Sequence, residues 1–83
     1  MPIVEIYTLR GCSYCVRAKA LLDSKGAVYQ EHDATADEAV RRGVCQRSGH
    51  RTFPQIFVDG TFLGGCDEVL ALNRKGQLDA LLA

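Results

Sequence analysis

The chain has no tryptophan, one methionine and two prolines in 83 residues. It has no surplus of either charge. Ten lysines and arginines balance ten aspartates and glutamates, for a formal net charge of zero. That balance excludes the basic stripe that follows nucleic acid and the acidic tail of a disordered chain. No apolar run approaches the length of a membrane span. Residues Met1 to Glu5 carry no secretory pattern, so a cytoplasmic location is expected. The length suits one small domain, residues 1–83, and a hydrophobic content of 47% can fill its core.

What the chain does have is cysteine. Two of its four cysteines sit three apart in Gly11-Cys12-Ser13-Tyr14-Cys15. A strand-like run, Ile3 to Tyr7, precedes them, and a helical pattern, Val16 to Lys25, follows. A strand-to-helix turn puts the first thiol at a helix N-terminus. Free backbone N–H groups and the helix dipole favour negative charge there. A thiol so placed ionises more readily, and the thiolate is the form that attacks disulfides. Cys12 is therefore the expected nucleophile. Cys15, nearly one turn in and more buried, is the expected resolving thiol.

Four cysteines are also compatible with two disulfides in a small secreted domain. The helix and strand patterns are too regular for such a loop-rich scaffold. A zinc site of Cys12, Cys15, His32 and His50 lacks the second tightly spaced ligand pair usual in structural sites.

Taken in order, Ile3–Thr8 reads as a buried central strand. The first helix is expected over Ser13–Lys25, with Cys15, Ala18 and Leu22 on its inner face and Gly26 as its terminator. Ala27–His32 should be a second strand, parallel to the first because a helix crosses between them. Thr35-Ala36-Asp37-Glu38 has capping-box spacing, so a second helix is expected over Ala36–Ser48. Ala36, Val40 and Val44 should face inward, and Gly49 should end it. Gly43 costs that helix about 1 kcal/mol relative to alanine. Gln55–Val58 and Thr61–Gly64 form a hairpin about Asp59-Gly60. A third helix runs from Gly65–Cys66 to about Asn73, Gly76 breaks it, and Gln77–Leu82 forms a short last helix. This βαβαββα order is an α/β fold, a four-stranded mixed sheet with helices on both faces in the thioredoxin-like arrangement.

Four segments then coincide in order and spacing: Tyr7-Thr8 leading to Cys12-Ser13-Tyr14-Cys15, Arg51-Thr52-Phe53-Pro54, and Gly64-Gly65-Cys66-Asp67. Over nearly its whole length the chain resembles a glutaredoxin of the small bacterial dithiol class. Thioredoxin proper fits less well, since it normally has tryptophan before the motif and Gly-Pro within it. Three positions depart from the family's habit. Ser13 stands where proline is usual, Phe53 where valine is common, and Leu9 where a lysine is common, which leaves Arg10 as the nearest cation to the thiols.

The resemblance implies glutathione as co-substrate, and glutathionylated or disulfide-containing proteins as partners of a monomeric enzyme. It implies a cis peptide at Pro54, with Phe53 offering N–H and C=O to the extended ligand, beside Thr52. It implies that Gly65, Cys66 and Asp67 receive the γ-glutamyl end, backbone N–H groups taking its carboxylate and the Asp67 side chain its ammonium. Arg41 is chosen for the glycyl carboxylate, against the alternative of a solvated helix face. Tyr14 should flank the bound thiol. Cys45 reads as a spare thiol, and Cys66 as a thiol whose oxidation could affect activity. The resemblance also carries an alternative, a [2Fe-2S] cluster bridging two protomers through Cys12 of each and two glutathiones. Ser13 favours it, because serine restores the backbone donor and the freedom that proline removes.

Overall fold

A computed structural model describes all 83 residues. Four strands, β1 (Val4–Thr8), β2 (Tyr29–Asp33), β3 (Gln55–Val58) and β4 (Thr61–Gly64), form one sheet in the order β2-β1-β3-β4. β1 and β2 are parallel, as the helical crossover between them requires. β1 and β3, and β3 and β4, are antiparallel. The helices are α1 (Ser13–Ser24), α2 (Glu38–Ser48), α3 (Cys66–Arg74) and α4 (Leu78–Leu82).

The period of two along the central strands divides the core between two faces. Val4 and Ile6 of β1 join Ile56 and Val58 of β3 under Ala18 and Leu22 of α1, Cys66 and Val69 of α3, and Leu78 of α4. Each such fully buried aliphatic side chain stabilises the fold by roughly 1.5–3 kcal/mol. The opposite face is thinner. Tyr7 and Phe57 meet Val44 of α2, and partly buried Cys45, Phe53 and Phe62 complete that cluster. Polar contacts fill in around it. His32 stacks on Tyr7 at 4.6 Å and meets Glu5 Oε2 at 3.0 Å. The Arg47 guanidinium lies 4.4 Å from the Phe57 ring centre and donates to the Tyr7 hydroxyl at 3.3 Å.

Most boundaries fall within two residues of the expected ones, and β3 and β4 agree throughout. The Asp59-Gly60 turn has φ of 51° and 81° at its two residues, the primed geometry that matches strand twist. Ile3 is exposed rather than part of β1. The start of α2 also differs. Its N-cap is Asp37, whose carboxylate accepts from Val40 N–H at 3.1 Å, so Thr35 is not the cap. The Thr35 hydroxyl instead accepts the Arg10 N–H at 2.6 Å. Ala36 and Val40 are exposed, because α2 meets the sheet one turn later, at Val44.

Candidate active site

Strand β1 delivers the chain to a turn whose last residue, Gly11, takes φ of +73°. Cys12 follows as the N-cap of α1. Its sulfur accepts a hydrogen bond from the Cys15 N–H at 3.2 Å, the bond that a serine hydroxyl makes in an ordinary cap. The same thiol donates to the Phe53 carbonyl at 3.7 Å. Cys12 is thus held between a helix start and the loop that enters β3, and the Phe53–Pro54 peptide in that loop is cis. Cys12 is half-buried, whereas Cys15 is only 2% exposed. Burial pushes the Cys15 thiol up to about 12, helped by its hydrogen bond with Cys12. At neutral pH Cys15 keeps its proton. Burial also raises the Cys66 thiol.

Beside this loop lies a groove of about 380 Å³. Seven residues singled out from the sequence line it: Tyr14, Thr52, Phe53, Pro54, Gly65, Cys66 and Asp67. Tyr14 is half exposed, and the Arg17 guanidinium lies 5.6 Å from its ring centre. One wall is the start of α3. Its N-cap is Gly65, so no side chain caps the first turn. The leading N–H groups of a helix have no partner within it, and here they open on the groove.

Glu68 is a lining residue that the sequence reasoning missed. Its Oε1 accepts the Gly65 N–H at 2.7 Å, which leaves the N–H groups after Gly65 as the available donors. The signal was the spacing of Gly65 and Glu68, the second half of a capping box without the first. Gly64 makes room for that contact. It sits at φ of +131°, and a Cβ there would come within 2.5 Å of the Glu68 Cβ.

The structure does not bring Arg10 or Arg41 to this groove. Arg10 is exposed on the other side of Cys12, 4.0 Å from Asp33. Arg41 turns inward, and its guanidinium donates to the carbonyls of Thr35 at 3.2 Å and Ala34 at 3.5 Å. These loop carbonyls hold one guanidinium nitrogen away from the groove. The hollow on the Arg10 side, about 260 Å³, is lined in part by Cys12, Cys15, Lys19 and Glu31. Glu31 there accepts from Thr8 Oγ1 at 2.8 Å and from Lys19 Nζ at 3.1 and 3.2 Å. The Thr8 hydrogen bond is the main cause that holds its carboxyl below the usual range, with Lys19 adding to it. The largest hollow, about 600 Å³, lies between Met1–Pro2 and Ala80–Ala83 and contains no cysteine.

The two histidines are occupied elsewhere, His32 with Glu5 and Tyr7, and His50 against the Phe62 ring at 4.8 Å. No group of three or more His, Cys, Asp or Glu side chains comes together to hold a metal ion. A bridging cluster would draw one protein ligand, Cys12, from each chain.

A paired thiol beside a cis-proline loop and an open helix start is what the resemblance implied, and independent comparisons decide the family. The glutaredoxin family pattern matches residues 4–63. The chain is 51% identical to "Glutaredoxin 3" of Escherichia coli over 82 residues, covering 99% of both chains. The chain belongs to the glutaredoxin family. A Pseudomonas aeruginosa relative named "Glutaredoxin" is 46% identical over 83 residues, covering 100% of this chain and 99% of that one. Among solved structures, a buckwheat glutaredoxin–glutathione complex superposes with a TM-score of 0.90 at 33% identity, over 98% of this chain and 76% of that one. A Brucella melitensis glutaredoxin gives 0.86 at 52% identity, over 96% and 87%. The fold is the thioredoxin-like one, and a glutaredoxin with its Cys12–Cys15 pair is a thiol-disulfide oxidoreductase. No helix is long and apolar enough to cross a membrane.

Proposed function

We propose that this glutaredoxin uses glutathione as its co-substrate and acts on glutathionylated and disulfide-bonded proteins, as a cytoplasmic monomer. The observation that carries the reading is the groove between Tyr14, the Phe53–Pro54 loop and the uncapped start of α3, next to Cys12. Glutathione is an extended peptide with two carboxylates and one ammonium. An open helix start suits its γ-glutamyl carboxylate, the exposed Asp67 carboxylate suits the neighbouring ammonium, and the Phe53 backbone suits its extended chain.

In the reaction, the Cys12 thiolate attacks the glutathionyl sulfur of a protein mixed disulfide. That S–S bond breaks, the protein leaves as a thiolate and takes up a proton, and Cys12 carries the glutathionyl group. A second glutathione thiolate attacks the bound glutathionyl sulfur. It releases Cys12 and leaves as glutathione disulfide. With a protein disulfide, Cys12 forms a mixed disulfide with the protein, and Cys15 then attacks the Cys12 sulfur. The reduced protein leaves, and two glutathiones reduce the resulting Cys12–Cys15 disulfide. Cys15 gives up its proton only when it is called on, which fits its raised pKa.

Asp67→Ala tests the groove in a glutathione-coupled assay on a glutathionylated peptide. Loss of one charge-assisted contact should raise the KM for the glutathionyl substrate about tenfold with little change in kcat. An unchanged KM, or wild-type turnover that does not depend on glutathione, overturns the reading.

A further inference from the structure

Gln55 is the first residue of β3, on the face it shares with Phe57, and it is completely buried. A buried carboxamide is costly unless its donors and acceptor are satisfied. Its amide nitrogen is well used. Nε2 donates to the His50 carbonyl at 3.1 Å and to the Thr52 carbonyl at 3.2 Å, and lies 3.8 Å from Cys45 Sγ. Its oxygen has no partner at all. An orphaned buried acceptor is destabilising, because it loses its hydrogen bonds to water and gains none in return. A methionine of similar length would fill the same space without that penalty.

The two donors go to one place. His50 and Thr52 belong to the loop that presents Thr52, Phe53 and Pro54 to the groove and offers the Phe53 carbonyl to Cys12. None of the backbone hydrogen bonds made outside the helices and strands involves residues 50–54. The carbonyls of His50 and Thr52 are two residues apart, so one NH2 group holds the loop at two points.

We infer that Gln55 is a positioning residue for substrate recognition, its amide fixing the 50–54 loop from beneath so that Thr52 and Phe53 meet glutathione in register. This rests on the glutathione reading of the groove. Gln55 touches neither the Cys12 nor the Cys15 sulfur and does not line the groove. Its effect should appear in how well the glutathionyl group is bound, not in the reactivity of Cys12 itself.

The test compares wild type with Gln55→Met, which keeps length and removes both donors. Gln55→Asn is the second variant, since its shorter side chain keeps an amide that reaches less far. Two reactions are followed: turnover of a glutathionylated peptide, and a single encounter of the reduced protein with 5,5′-dithiobis(2-nitrobenzoate), a disulfide that has no γ-glutamyl peptide. The expected result is a KM for the glutathionyl peptide raised about tenfold in Gln55→Met, with kcat and the nitrobenzoate rate within about twofold of wild type. Gln55→Asn should show a smaller rise. An unchanged KM in a folded Gln55→Met protein overturns the inference. So does a parallel fall in both reactions, or loss of the folded state in both variants, because Gln55 would then be a core residue with no particular tie to recognition. Wild-type protein that shows no dependence on glutathione fails the function proposal first, and that outcome is distinguishable from all of these.

Discussion

Cys12 and Cys15 are three residues apart on one helix start, yet their surroundings differ more than those of many unrelated residues. Cys12 caps the helix, is half-buried, and shares its sulfur with one N–H and one carbonyl. Cys15 is inside the α1 face with Ala18 and Leu22, and its thiol is pushed up to about 12. The lesson is that chemistry in this motif is assigned by burial and not by residue type. Cys12 stands at the cap, where the backbone is still extended, and Cys15 lies in the first helical turn facing the core, so the two thiols sit at different depths.

The sharpest way to break the comparison is Cys12→Ser. Turnover of a glutathionylated peptide should fall at least about a thousandfold, since no second thiol is placed to attack. Retained activity would reverse the two roles. Cys15→Ser is the next largest change. Reduction of protein disulfides should be lost, while removal of glutathione from a peptide stays within about threefold of wild type in the coupled assay. A smaller difference should appear in labelling. Brief treatment with iodoacetamide at neutral pH, followed by mass spectrometry, should modify Cys12 about ten times faster than Cys15 or Cys66.

The smallest effect is in stability against pH. The Cys15 thiol ionises near its ordinary value of 9.0 in the unfolded chain and at about 12 in the folded one. Between those values the unfolded state binds fewer protons, so stability is intact below pH 9 and falls as the pH rises toward 12. Cys66, also raised, acts in the same direction. By pH 10 the Cys15 contribution should be roughly 1 kcal/mol, read as a lower urea midpoint. Cys15→Ser should flatten that decline. At the acid end the sign is opposite. Glu31 is held low, so its contribution is present above the ordinary carboxylate value and is lost as pH falls through the folded one.

Local patterns carried most of the fold. The apolar run of β1, the glycines at 26, 49 and 76, and Asp59-Gly60 each state a preference that needs no distant partner. The start of α2 was harder to read. Thr35 and Asp37 are both acceptable caps by residue type, and the choice was made by Arg10, 25 residues earlier, whose N–H takes the Thr35 hydroxyl. Arg41 was misplaced for a similar reason. Position on a helix does not reveal that the carbonyls of Ala34 and Thr35 lie within its reach. Seven groove residues were readable because they belong to motifs with their own short spacing. Glu68 was marked only by its three-residue spacing from Gly65, and Gln55 matters through the shape of the loop just before it, which residue type alone does not reveal.

The sheet order has one last consequence. Both sulfurs come from the first fifth of the chain, while both walls of the groove, apart from Tyr14, come from residues 52–68. During synthesis both thiols therefore emerge before any residue of the second groove wall. The groove is complete only when β3 slots in beside β1, so a prematurely terminated product would hold both thiols and lack its walls.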